Sequence, residues 1–447
     1  MSKSFSELGL SPEVLKPLED AGFKAPFPIQ EAVIPLALTG VDIIGQAKTG
    51  TGKTLGFGLP ILDLISQGSG KPLALVVVPT RELCIQVADE LNKLSDGKKL
   101  RITAIYGGRP MEPQIAELKR GVDIVVGTPG RLLDLQRQKA LDLSSIERLV
   151  LDEADEMLDL GFLPDVEKIF SLTISRTQTM LFSATMPGDV VTLARKFLNQ
   201  PTHIRAELED TGAVVSKIKQ FVYRAHAMDK PEMLARILQA EGRGPTMVFC
   251  RTKRTCQQIA DDMKERGFKT AAIHGDLGQG AREKALDDFK SLKRDILVAT
   301  DVAARGIDID GITHVINYQC PEDEKTYVHR IGRTARAGAS GTAITFVDWD
   351  ELTRWSHINQ ALALDFAEPK ETYSSSEHLY EELGIPRETK GRTKDQVKEQ
   401  IKEESKKSVQ KKNDPESASG KESKPAPKSK DRVKRERVRT KRVHESR

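Results

Sequence analysis

Short runs of consecutive apolar residues recur along this chain, each closed by a polar loop and followed by a helical pattern. Leu73 to Val78 ends in Pro79-Thr80-Arg81-Glu82-Leu83, and Val122 to Val126 in Gly127-Thr128-Pro129-Gly130-Arg131. Leu149 to Leu151 runs into Asp152, and Thr179 to Phe182 into Ser183-Ala184-Thr185. Unbroken apolar runs are what strands buried on both faces require, and their alternation with helices predicts a parallel sheet. Ligands of such sheets gather beyond the carboxyl ends of the strands, where these loops fall. The pattern returns in the second half, with expected strands at Thr246 to Cys250, Thr270 to Ile273, Ile296 to Ala299, His314 to Tyr318 and Thr342 to Val347. Polar Glu207 to Lys219, with Gly212 inside it, is the expected linker between two α/β domains. Helices are expected over Pro12 to Ala21, between Ser11 and Gly22, and from Leu352 to about Leu364. Leu379 to Leu383 is expected to pack back on the second domain.

The chemistry starts at Ala47 to Thr54, AKTGTGKT, between the apolar Val41-Asp42-Ile43-Ile44 and the stretch Leu55 to Ile65. A strand, a glycine-rich turn and a helix opening at Lys53 fit this order. Without side chains at Gly50 and Gly52 the backbone can curl until its N–H groups point inward at a phosphate, and the helix N-terminus adds more donors. Lys53 then reaches the β- and γ-phosphates, and the Thr54 hydroxyl can bind Mg²⁺. The strict phosphate-loop pattern has glycine where this chain has Ala47, so taken alone the stretch also fits a glycine-rich turn without chemical purpose. Asp152-Glu153-Ala154-Asp155 decides between them. A carboxylate at a strand end, Asp152, can hold Mg²⁺ through water, and Glu153 can orient and deprotonate a water for in-line attack on the γ-phosphate. Together the two motifs predict a Mg²⁺-dependent nucleoside triphosphatase.

Further along, Asp301-Val302-Ala303-Ala304-Arg305-Gly306-Ile307-Asp308 follows an expected strand, and His329-Arg330-Ile331-Gly332-Arg333-Thr334-Ala335-Arg336 comes next. At helical pitch Arg330 and Arg333 share a face, where they could meet phosphates across a cleft or form a solvated basic helix. Gln30, after closely spaced prolines, can donate one hydrogen bond and accept another, as adenine requires, or belong to a structured turn.

Charge matters through its distribution. The formal net charge of the 447 residues is +4. Lys421 to Arg447 carries twelve Lys or Arg against four Asp or Glu, so the remainder is slightly acidic. From Gly391 onward large apolar residues are few, and disorder is expected. The end, VKRERVRTKRV, has no aromatics, which suits salt-sensitive backbone binding without base stacking, or a solubilising extension. Cys84, Cys250, Cys256 and Cys320 lie in or beside apolar segments without metal-ligand spacing, as reduced structural cysteines would. No signal peptide precedes Ser11 and no apolar run is long enough to span a bilayer, so a cytoplasmic location without membrane is expected.

Over about residues 5 to 365 these motifs, in this order and spacing, resemble the DEAD-box family of ATP-dependent RNA helicases. The resemblance implies two tandem RecA-like α/β domains with mainly parallel sheets, ATP and Mg²⁺ as cofactors, and RNA as partner. Its divisions are 1–40 for an adenine-recognition segment, 41–206 for domain 1, 207–219 for the linker, 220–370 for domain 2, 371–390 for a short extension and 391–447 for a disordered tail with a basic end. Phe5 with Gly22 to Gln30 resembles the adenine-reading segment, Phe23 stacking on the base and Gln30 bonding to it. AKTGTGKT matches the family's phosphate loop, with Thr49, Gly50, Thr51, Gly52, Lys53 and Thr54 on the nucleotide. Ser183 and Thr185, with His329, resemble elements that couple ATP state to unwinding. Pro79, Thr80, Arg81, Gly108, Thr128 and Arg131 resemble RNA-backbone contacts of the first domain. Arg251, Thr252, Gly275, Gln279, Arg282 and Thr300 resemble those of the second. Asp301, Gly306 and Asp308 resemble a nucleotide-sensing motif, with Arg330 and Arg333 both near the γ-phosphate. Ala335 departs from the family's usual glycine, a small change expected to tune activity.

The expected function is an RNA-dependent ATPase that unwinds short duplexes locally or remodels RNA–protein complexes, its basic tail a tether. Two alternatives are an annealing protein in which ATP only regulates release, and a DNA translocase built on similar domains.

Overall fold

The computed structural model describes residues 3–47, 50–66, 68, 70–206, 218–304, 309, 311–334 and 340–393. Two seven-stranded sheets form its framework. The first contains β1 Ile43–Gln46, β2 Ala74–Val77, β3 Ile102–Ile105, β4 Ile124–Gly127, β5 Arg148–Leu151, β6 Gln178–Ser183 and β7 Thr202–Arg205. The second contains β8 Ile218–Arg224, β9 Thr246–Cys250, β10 Thr270–Ile273, β11 Ile296–Thr300, β12 His314–Asn317, β13 Gly341–Val347 and β14 Lys370–Glu371. Their orders are β3-β4-β2-β5-β6-β1-β7 and β10-β11-β9-β12-β13-β8-β14, so the second repeats the first strand for strand. Every pairing is parallel.

The unbroken apolar runs have the cause expected of them. In β2, Ala74 and Val76 face one core and Leu75 and Val77 the other. In β9, Val248 and Cys250 face one core and Met247 and Phe249 the other. Side chains alternate across a sheet covered by helices on both faces, so these positions are all apolar. Burying each of the Val, Leu, Met or Phe side chains contributes roughly 1.5–3 kcal/mol. With every strand parallel, the loops that follow them gather along one edge of each sheet.

Some strands were not among those expected. β3 is a half-buried alternating segment, and β7 is largely exposed at the outer edge of its sheet. β8 begins at Ile218, inside the expected linker, whose residues 207–217 lie outside the described residues. Short β14 extends the second sheet beyond β8, and the helix Glu377–Leu383 buries Leu379 and Tyr380 against that sheet's core, so residues 370–385 complete this lobe. The tail from residue 394 also lies outside the described residues. All four cysteines are buried and free, and among the described residues no helix is long and apolar enough to cross a membrane.

Candidate nucleotide and RNA sites

β1 runs directly into the glycine turn. Ala47 is buried, its N–H donating to the Ser183 carbonyl at 3.1 Å. Gly50 and Gly52 have φ of 80° and 78°, the left-handed region in which a side chain is strained. A Cβ on Gly52 would also collide with the Gln30 amide. Gln30 is fully buried and clasps this turn, donating to the Gly52 carbonyl at 2.9 Å while accepting from the Phe27 N–H at 2.8 Å. Phe23 and Phe27 are 38% and 46% exposed, and Phe27 lies against Gly52 of the turn. Thr49 lies outside the described residues. Thr51 is half-buried before the helix Lys53–Leu64.

Lys53 is the first residue of that helix, and its ammonium lies 3.0 Å from Glu153 Oε1. Burial opposes its charge, but the carboxylates of Glu153 and Asp152 outweigh it and hold the ammonium above its ordinary value. Glu153 sits between β5 and the helix Ala154–Asp159 with φ and ψ of 53°, a left-handed conformation costing about 1–3 kcal/mol for a non-glycine residue. Its N–H donates to the adjacent Asp152 carboxylate at 3.0 Å. Burial pushes Asp152 up to about 7, despite Lys53.

Asp152 and Glu153 are buried beside the Lys53 ammonium, and among the described residues no group of three or more His, Cys, Asp or Glu side chains is placed to hold a metal ion by itself, so a cation here would need oxygens from water or phosphate as well. The Thr54 hydroxyl bonds to the Glu90 carboxylate. In donating there it leaves oxygen lone pairs able to accept a cation.

Ser183 ends β6, and its hydroxyl accepts from the Asp155 N–H at 3.2 Å and donates to the Thr185 carbonyl at 2.7 Å. Asp155 Oδ2 in turn accepts from the Thr185 N–H and hydroxyl at 2.8 and 2.7 Å. The loops after β5 and β6 are therefore one hydrogen-bonded unit. Asp155 was not among the expected site residues; its place right after a buried strand was the available signal.

In the second sheet the arrangement of the arginines differs from expectation. The helix Glu324–Ile331 ends at a Gly332 cap, and Arg333 follows on the next turn, its N–H on the Arg330 carbonyl at 3.1 Å. Arg330 is only 1% exposed. Its guanidinium grips Asp301 at 2.6 and 2.7 Å and also donates to Asn317 Oδ1 at 3.2 Å and the Gln319 carbonyl at 2.9 Å. With most of its donors committed inside its own lobe, Arg330 is not presented to a phosphate. It braces the strand ends that carry Asp301 and Asn317, while Arg333 is half-buried. Gly306, Asp308 and Ala335 lie outside the described residues, and His329 is exposed.

The expected RNA-side residues cluster at the carboxyl ends of both sheets. Pro79 follows β2, Thr80 caps the helix Arg81–Leu94, and Thr128 precedes the helix Pro129–Arg137. Arg81 lies over Gly108, whose φ is 80°. Arg131 donates to the Arg109 carbonyl at 3.0 Å. In the second lobe Thr252 caps the helix Lys253–Glu265, Gln279 opens the helix Gln279–Lys290, Gly275 follows β10, and Thr300 ends β11.

Several of these residues meet across the lobes. Arg81 donates to Gln279 at 3.3 Å, Arg282 pairs with Glu82 at 3.0 Å, and Arg109 pairs with Glu283. Arg131 Nη1 and Arg282 Nε are buried donors without a partner among the described residues. Such atoms suit a bound polyanion more than a dry interface. Sequence reading missed Glu82 and Glu283 because their partners come from a distant part of the chain.

A family model for DEAD/DEAH box helicases matches residues 27–193, and one for the helicase conserved C-terminal domain matches 229–338. The "ATP-dependent RNA helicase CshA" of Listeria monocytogenes is 48% identical over 348 residues, which cover 78% of this chain and 66% of that protein. The "DEAD-box ATP-dependent RNA helicase CshA" of Geobacillus kaustophilus is 46% identical over 357 residues, covering 80% of this chain and 76% of that protein. Among solved structures, Saccharomyces cerevisiae Dbp5 bound to RNA and ADP BeF3 aligns with a TM-score of 0.73 and 33% identity, covering 83% of this chain and 96% of that one. On this likeness, carried across both sheets, the chain belongs to the DEAD-box family of ATP-dependent RNA helicases.

Proposed function

We propose that the chain hydrolyses ATP in an RNA-dependent way, and uses the cycle to open short RNA duplexes locally or to remodel RNA–protein complexes. The observation that supports this reading is the repeated strand order of the two sheets, with the buried Lys53–Glu153 pair beyond strands of the first.

In this reading Phe23 stacks on adenine, and Gln30 reads its edge once it gives up the Gly52 carbonyl. Gly50, Gly52 and the helix N-terminus cradle the phosphates with Thr49 and Thr51. Lys53 leaves Glu153 for the β- and γ-phosphates, which frees the carboxylate to take a proton from the attacking water. Asp152 and Thr54 would hold Mg²⁺, which when bound offsets charge on the phosphate oxygens. Arg333 adds charge from the second lobe, with Asp301, Gly306 and Asp308 sensing the nucleotide and Arg330 bracing Asp301. Ser183, Thr185 and His329 link that state to the RNA edge.

RNA lies by its backbone along Pro79, Thr80, Arg81, Gly108, Thr128 and Arg131 on one lobe and Arg251, Thr252, Gly275, Gln279, Arg282 and Thr300 on the other. Closure bends one strand, disrupting stacking at about a few kcal/mol per step, and ligands that bind the closed form more tightly supply that energy. The basic end of the tail tethers RNA, ribonucleoproteins are further partners, and the protein works in the cytoplasm, in keeping with four buried free cysteines.

The test is strand displacement from a short RNA duplex with a single-stranded extension. ATP is expected to release the strand, and Lys53→Ala to abolish release. Release that proceeds equally without ATP would contradict the reading and favour an annealing or binding role.

A further inference from the structure

Gln319 stands where two polar chains of the second lobe meet. β9 and β12 are neighbours, and their backbone pairing ends with the Tyr318 N–H on the Phe249 carbonyl at 3.0 Å. One residue further the backbones no longer pair, and the Gln319 side chain takes over: its Oε1 accepts from the Arg251 N–H at 2.9 Å. The carbonyl of the same residue accepts from Arg330 Nη1 at 2.9 Å. On one side, therefore, stands the Asp301–Arg330 pair. On the other is Arg251, whose guanidinium lies 3.3 Å from Glu351 Oε1. Glu351 is itself buried and fixed by the N–H groups of Asp348 and Cys320 at 3.0 and 3.4 Å.

We propose that Gln319 is a positioning residue that couples the two sides, passing the state of Asp301 and Arg330 at the nucleotide cleft to Arg251 at the RNA edge. Arg330 is locked in a packed interior, so a shift of its guanidinium moves the Gln319 carbonyl rather than being absorbed. The Arg251 backbone follows because its N–H has the Gln319 side chain as acceptor. A side-chain acceptor can adopt two arrangements where a regular ladder bond cannot, and a two-state element is what coupling requires. The inference rests on the functional reading above, in which Asp301 senses nucleotide and Arg251 holds RNA.

The experiment uses the full chain, single-stranded RNA and a non-hydrolysable ATP analogue. Coupling is the ratio of RNA Kd without the analogue to that with it. Gln319→Met removes the acceptor at similar volume, whereas Gln319→Glu keeps an acceptor oxygen. The Met variant is expected to lose about tenfold of the ratio, while the Glu variant keeps it to within about twofold. A Met variant coupled like the wild type contradicts the relay alone, as does equal loss in both variants. A wild-type chain whose RNA affinity ignores the analogue contradicts the functional reading, and the relay with it. Hydrogen exchange on the wild type gives a second measurement that needs no variant. Protection of the Arg251 amide is expected to rise when RNA and analogue bind together, and unchanged protection contradicts the relay.

Discussion

Lys53 Nζ and Glu153 Oε1 lie 3.0 Å apart, and neither side chain is more than 7% exposed. The loop's cation thus neutralises the carboxylate expected to activate water, and the two must separate before hydrolysis. Until a phosphate draws Lys53 away, Glu153 Oε1 stays engaged by the ammonium.

Glu153→Gln should therefore bind ATP at least as tightly as the wild type, because the phosphates no longer compete with a carboxylate for Lys53. Its turnover should fall by about 10²-fold or more, the usual worth of a general base. Single-turnover hydrolysis beside a nucleotide-binding titration separates the two effects. A loss of turnover below about tenfold would remove Glu153 from the assigned chemistry.

Asp152 gives a pH dependence. Burial raises it from 3.8 to about 7, so within that window the folded chain binds a proton that the unfolded chain has released. Its contribution to stability is therefore lost as pH rises through the window. Thermal melts of ligand-free protein should show a downward slope that Asp152→Asn lacks. Binding of Mg²⁺ with ATP favours the carboxylate, so it should release a proton below about pH 7 and none well above, as calorimetry in buffers of different ionisation enthalpy would read.

The two arginines of the second lobe should fail differently. Arg330→Ala strips Asp301 of a buried, bidentate partner, and breaking such a pair costs about 3–5 kcal/mol, the lower end applying because Asp301 is partly exposed. A lowered Tm of the second lobe is expected. Arg333→Ala should lower Tm less while cutting RNA-stimulated turnover by about 10³-fold, as loss of a charge-supplying arginine does. Melting curves and ATPase rates on both variants decide. Equal destabilisation with equal loss of rate would contradict the division of roles.

Base recognition is tested at Phe23. Stacking on an aromatic ring is worth about 1–3 kcal/mol, so Phe23→Ala should raise KM for ATP by about tenfold with little change in kcat. Phe27→Ala is the comparison, because Phe27 is also exposed and lies nearer Gly52. A larger effect at Phe27 would move the stacking role to that ring.

Much of the fold was legible because both faces of each sheet are covered. A strand such as Ala74–Val77 must then be apolar at every position, a pattern with few other causes. β3 and β7 were not legible: four residues of weak alternation at a sheet edge carry little signal, and neighbouring strands decide their pairing. Spacing along the chain brought Lys53 and Glu153 to attention as a pair, and the structure sets them in contact. Arg330 was misread for a physical reason: its surroundings are set by Asp301 and Asn317, which sequence spacing does not bring to it, and Gly332 ends the helix before Arg333. Asp155, Gln319 and Glu351 went unread because each acts on a neighbouring loop and not on a ligand.

The most direct test of the account is ATP hydrolysis measured without nucleic acid, with single-stranded RNA and with DNA of matched sequence, beside a Lys53→Ala control. Strong stimulation by RNA alone, absent in the control, is expected. Equal stimulation by DNA, or none by either, would contradict the RNA-dependent cycle.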